Sequence, residues 1–186
     1  MSARYGTFDL VDSGQRLNHG YNLATNPCPC GSYGVPGGDC VCPPAGIRRY
    51  LGRLSGPIRD RIDIELSVRR VSVAHTQAAG QRGITTAEAR ARVAAARHLA
   101  AGRLRATPWR TNAEVSGAWL RQGPCAPPPL VRRPLDAALH RGALTLRGYD
   151  RVLRVAWTHA DLAGRDRLEI DDIGRALYLK KGATPL

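Results

Sequence analysis

The sequence predicts a fragment of an α/β sheet followed by a small all-α helical domain. Three observations predict this. Apolar and polar residues alternate over Tyr21–Thr25 and again over Ile64–Val68, the period of strands with one buried face. From Thr85 onward the apolar spacing becomes helical and is opened by cap residues. A polar, glycine-containing linker at 76–84 separates the two regimes.

The elements follow in order. Residues 1–20 are polar and irregular and read as no domain. Asn26-Pro27 stops the first strand, and Gly31, Gly34, Gly37 and Gly38 supply turns. Pro43-Pro44 starts a helix over Ala45–Leu54 whose basic face is Arg48, Arg49 and Arg53, and Gly56-Pro57 breaks it. Ile64, Leu66 and Val68 form the apolar face of the second strand. Thr85-x-x-Glu88 is a capping box, so a helix runs from Thr86 to about Ala101. Residues 107–131 are loop-rich, with Pro124 and Pro127 to Pro129, and a short helix follows over Leu135–Arg141. Thr145 caps the most amphipathic helix. Leu146, Tyr149, Leu153, Ala156, Trp157 and Ala160 share one face of it, and Arg147, Arg151 and Arg154 lie off that face. Gly164 ends it, and a last helix covers Asp171–Leu179.

Composition bounds the function. The 186 residues suffice for one domain or two small ones, and 43% are hydrophobic, which excludes disorder throughout. Aromatics are scarce, so the core is built from Ala, Leu, Val and Ile. The net charge is +13, carried by Arg except at Lys180 and Lys181. A GC-rich coding sequence explains Arg in place of Lys. It does not explain the excess over Asp and Glu, which favours a polyanionic partner or an acidic assembly surface. No apolar run is long enough to span a bilayer, and Met1–Gly20 lacks a signal-peptide pattern, so a cytoplasmic chain without membrane contact is expected.

Four of the five cysteines, Cys28, Cys30, Cys40 and Cys42, form CxC-x9-CxC. Two close thiol pairs joined by a turn-rich segment can make a tetrahedral zinc site. This reading is preferred over free buried thiols or a redox pair. Cys125 stands alone in a proline-rich loop as a free thiol. Asn26, in an Asn-Pro turn, ends a strand where α/β proteins bind ligands. Arg61 reads as a surface arginine beside Asp60 and Asp63, and Arg147 as a solvated first-turn arginine. Asp161 and His159 read as helix-surface or packing residues without a catalytic role.

Asn22–Asp63 and Leu144–Gly164 carry a resemblance. LATNPCPCG, GPIRDRID and LTLRGYDRVLRVAWTHADLAG are similar to motifs of the magnesium-chelatase-like AAA+ ATPases, the ComM/YifB family. The resemblance covers roughly residues 21 to 180 and leaves Met1–Gly20 unmatched. It implies that 21–75 are the distal part of an AAA+ core with a four-cysteine insertion. It also implies that 85–186 are the helical lid, the magnesium-chelatase-related C-terminal domain. Asn26 then takes the sensor-1 place and Arg61 that of an arginine finger acting in trans on a neighbour's γ-phosphate. Arg147 takes the sensor-2 place at ATP, with Arg151 and Arg154 as weaker candidates. Some family members lack the cysteines, so zinc would be structural. The family implies a homo-oligomeric ring motor working on branched or single-stranded DNA during uptake and recombination.

The 186 residues contain no GxxxxGK(S/T) and no apolar run ending in Asp-Glu. The expectation is therefore a C-terminal portion of such a motor, unable to hydrolyse ATP alone. ATP and magnesium would be handled only together with a Walker-containing partner or a missing N-terminal half. The alternatives are a non-enzymatic, zinc-stabilised basic module that binds nucleic acid, and a truncated product without function.

Overall fold

The computed structural model describes residues 24–35, 37–68 and 83–181. It divides into two compact units, Met1–Ser55 and Gly56–Leu186.

In the first unit the cysteine segment leads into α1 (Pro44–Leu51). Proline opens this helix because its missing N–H is one that a first turn leaves unpaired anyway. Ile47 is the buried residue of α1, and Cys28 is fully buried. The Thr25 and Tyr50 hydroxyls share a hydrogen bond of 3.2 Å, tying the start of the cysteine segment to this helix.

The second unit is helical: α2 (Gly56–Arg61), α3 (Thr86–Leu104), α4 (Gly117–Gln122), α5 (Pro129–His140), α6 (Leu146–Leu162) and α7 (Ile170–Lys180). α6 is its axis and packs against each of the other five. Tyr149, Val152, Leu153, Ala156, Trp157 and Ala160 are buried along it, as the 3.6-residue spacing requires. Leu104, Val115, Leu120, Leu135 and Ile173 complete the core from the surrounding elements. α3 opens on the expected capping box: Thr85 accepts from the Glu88 N–H at 3.2 Å, and the Glu88 carboxylate accepts from the Thr85 N–H at 2.8 Å. α7 opens on a second box, Glu169 with Asp172.

Buried charge pins α6. Arg103 of α3 grips Asp161 through both carboxylate oxygens, at 2.6 and 2.9 Å. Asn112 joins them, accepting from Arg103 at 2.8 Å and donating to Asp161 at 2.8 Å. The guanidinium also lies 4.0 Å from the centroid of the Trp157 ring. At the same end of α6, His159 Nδ1 lies 2.6 Å from the fully buried Asp172, to which Arg165 donates at 2.5 Å.

Several expectations change. Ile64, Leu66 and Val68 do not form a half-buried strand. They are 46%, 54% and 81% exposed, and among the described residues the segment has only a single-residue bridge at Leu66. Alternation specifies a buried face only where a neighbouring strand or helix covers it. Here the backbone instead pairs with a helix end, Glu65 N–H donating to Leu179 C=O at 2.8 Å. Of the strand expected over Tyr21–Thr25, Tyr21–Leu23 fall outside the described residues, and Ala24 and Thr25 are irregular. The α/β part is thus not seen among the described residues, and most of the 76–84 linker lies outside them. α1 ends at Leu51, short of the expected Leu54, and Gly56-Pro57 opens a further helix, since proline in a first turn costs no hydrogen bond. α4 appears inside the stretch expected to be loop, capped by Ser116. α5 starts at Pro129 rather than Leu135 and contains Pro134. The carbonyl that Pro134 cannot satisfy belongs to the exposed Leu130, where water can reach it.

Replacing Asp161 with alanine leaves the buried Arg103 charge and the Asn112 amide without their acceptor. The expected loss is about 3–5 kcal/mol, read as a lower urea midpoint at unchanged slope. A loss below about 1 kcal/mol would contradict the pinning role assigned to this pair.

Candidate anion cleft and metal centre

The four cysteines of the first unit converge. Cys28 Sγ lies 3.3 Å from Cys30 Sγ and 3.8 Å from Cys40 Sγ, and Cys30 and Cys40 are 3.7 Å apart. All four sulfur atoms, Cys42 included, fall within 4.8 Å of one another. Gly31, Gly34 and Gly37 reverse the chain between the pairs with φ of 79°, 72° and 69°, a region that residues with a Cβ seldom enter. Four thiolates around a tetrahedral ion, with metal–sulfur bonds of about 2.3 Å, sit about 3.8 Å apart, so this donor set fits a metal ion. The thiols' acidities are split. The Ser32 backbone N–H, with the Cys28 and Cys42 side chains, lowers Cys30 to about 6. The Cys30 backbone N–H pulls Cys42 down, but desolvation and the neighbouring thiolates outweigh it and raise Cys42 to about 11. Without a cation the four do not all ionise near neutral pH; a divalent cation removes that repulsion. Cys125 lies against the core of the second unit, and burial pushes its thiol up.

Asn26 is exposed in the first unit, its side chain close against Gly31, where an added Cβ would meet it at 3.6 Å. Arg61 and Arg147 belong to the second unit, which brings them together. With Leu146, Asp150, Arg151 and Arg154 they line an open cleft of about 400 Å³.

The four arginines of the cleft are not equivalent. Arg154 donates to the Val115 carbonyl at 3.1 and 2.9 Å, and burial lowers its pKa. Arg151 is paired with Asp63 at 2.6 Å. Asp150, the acid of the cleft lining, is paired with Arg121. Its carboxylate fills the space over Gly117, where a Cβ would meet an oxygen at 1.8 Å, so a larger residue there would displace the Asp150 and Arg121 side chains. Arg61 and Arg147 are exposed and, among the described residues, enter no ion pair. Arg147 sits in the first turn of α6, at the positive end of the helix dipole, with no acidic residue in that turn. A cation placed there costs stability, and such local violations concentrate at sites kept for binding. The cleft can thus offer two unpaired guanidinium groups and a helix N-terminus to an anion.

His159 and Asp161 pack, as expected: Arg103 holds Asp161 in a buried ion pair, and the half-buried His159 shares a hydrogen bond with Asp172. Arg103, Asn112, Asp172 and Lys180 emerge only from the structure. A signal for the Arg103 pair existed in the sequence: its partner Asp161 continues the apolar stripe of Trp157 and Ala160, where an acid must be paired.

No described helix is long and apolar enough to cross a membrane. Residues 83–180 match the family model of the magnesium chelatase subunit ChlI C-terminal region, and residues 20–76 match that of magnesium chelatase subunit ChlI. An uncharacterized protein of Mycobacterium tuberculosis is 47% identical over 159 residues, covering 86% of this chain and 31% of that protein. The competence protein ComM of Haemophilus influenzae is 32% identical over 154 residues, covering 83% of this chain and 29% of its own length. The YifB protein of Salmonella typhimurium is 30% identical over the same 83% of this chain and 29% of its own length. The chain thus spans about a third of the length of the curated relatives it matches.

Proposed function

The chain belongs to the magnesium chelatase subunit ChlI family, and from that premise we propose that it supplies the trans-acting, phosphate-sensing arginines of a ComM-like motor. The observation that carries this reading is the shared cleft of Arg61 and Arg147, both unpaired among arginines that are otherwise engaged. In phosphoryl transfer charge accumulates on the γ-phosphate oxygens, and a guanidinium delivered from a neighbour stabilises it. Arg61 acts as that finger. Arg147, in the first turn of α6, takes the sensor-2 place on the same polyphosphate. Asn26 orients the attacking water from the core. The phosphates themselves are cradled by a Walker-containing segment or chain, since the 186 residues carry no GxxxxGK(S/T).

The motor assembles as a homo-oligomeric ring and works on DNA. Support comes from the net charge of +13 and from the name of the Haemophilus relative, a competence protein. Zinc in the four-cysteine cluster holds the first unit's turns in place, with no part in the chemistry.

The anion reading is tested by titrating inorganic tripolyphosphate into the full chain calorimetrically. Arg61→Ala and Arg147→Ala should each weaken binding about tenfold, the worth of one charge-assisted contact. Unchanged affinity in both variants would refute the shared site. For the metal, elemental analysis of protein purified without chelator should find one zinc per chain, and a Cys28→Ser/Cys40→Ser variant should carry none. Zinc retained by that variant, or none in the unmodified chain, would rule out the structural-zinc assignment.

A further inference from the structure

α2 has six residues, too few to be stable alone. Its last carbonyls have no partner within the helix. Two of them, those of Arg59 and Asp60, and the carbonyl of Ile62 just beyond the helix meet one side chain from the far end of the sequence. Lys180 Nζ donates to the Ile62 carbonyl at 2.6 Å and to those of Arg59 and Asp60 at 3.2 Å each. One ammonium has three N–H donors, and here it meets three acceptors. Two further ties hold the segment: the Thr145 hydroxyl donates to Asp60 at 2.9 Å, and Arg151 to Asp63 at 2.6 Å. Arg61 stands in the middle of the clamped stretch.

Resting on the reading of Arg61 as a phosphate-contacting finger, we propose that Lys180 is its positioning residue, a clamp through which α7 sets where Arg61 enters the cleft. Lys180 does not line the cleft and so acts through the backbone. Sequence composition points the same way. A chain that uses arginine for nearly all its positive charge has lysine where three carbonyls converge on one point. A planar guanidinium spreads its donors over a fork and cannot gather them there. Lys180 is half-buried, and burial lowers its pKa, while Asp60, Asp63 and Glu65 pull the other way and favour the charged form.

The test is a set of tripolyphosphate titrations of the full chain and its Lys180→Met, Lys180→Arg, Arg61→Ala and Arg147→Ala variants, with the Lys180→Met doubles. Lys180→Met should weaken binding about tenfold, and Lys180→Arg by a similar factor despite keeping the charge. On the Arg61→Ala background Lys180→Met should change affinity less than about twofold, and on the Arg147→Ala background it should retain its full effect. A merely structural role would depress both backgrounds alike, and that result overturns the proposal. Full affinity in Lys180→Met or Lys180→Arg overturns it as well. If the unmodified chain does not bind tripolyphosphate, the cleft reading fails and this proposal falls with it. If the chain binds and Lys180→Met binds equally, the positioning role alone fails.

Discussion

The grip of Arg103 on Asp161 fixes the azimuth of α6, and through α6 the rest of the helical unit. A helix buried along one stripe can still slide or roll, because hydrophobic contact has no direction. A forked ion pair with an amide closing it does have direction. Asn112 satisfies what the guanidinium leaves open, so the cluster is paired rather than a stranded charge. With its C-terminal half held this way, α6 presents its first turn to solvent at a defined angle, and that turn carries Arg147.

The two ends of α6 are treated in opposite ways. At the buried end charges are neutralised: Arg103 by Asp161, and Arg165 by Asp172. At the exposed end neutralisation is selective. Arg151 is given to Asp63, Asp150 to Arg121 and Arg154 to a carbonyl, while Arg61 and Arg147 are left over. The pattern is what a site needs if it is to stay open for a multivalent anion and yet be rigid before the anion arrives. Pairing Asp150 with Arg121 also lowers the repulsion an anion would meet in the cleft.

Much of this was readable in the chain, for physical reasons. Thr85 with Glu88 and Thr145 set helix starts because capping is local, satisfied within four residues. The CxC pairs and intervening glycines were readable because metal geometry needs close spacing and turns. Ile64–Val68 misled, since alternation records a pattern and not whether a neighbour covers it. α4 was hidden among prolines and glycines, and its Ser116 cap gave too short a signal to outweigh them. The Arg103–Asp161 pair and the Lys180 clamp join residues far apart in sequence, and no local rule reaches across that distance. Arg61 and Arg147 were found through the resemblance. Their meeting in one cleft could be seen only once α2 had packed on α6.

Under the proposed function, this chain completes another subunit's nucleotide site. The most direct measurement mixes it with a P-loop-bearing chain of the same family whose own finger arginine has been replaced by alanine, and follows ATP hydrolysis. If Arg61 acts in trans, adding the chain restores hydrolysis by on the order of a thousandfold, the range a supplied arginine gives, and the Arg61→Ala variant restores none. Equal rescue by the two chains, or no rescue by either in assemblies proven to contain both, would exclude a finger role for Arg61.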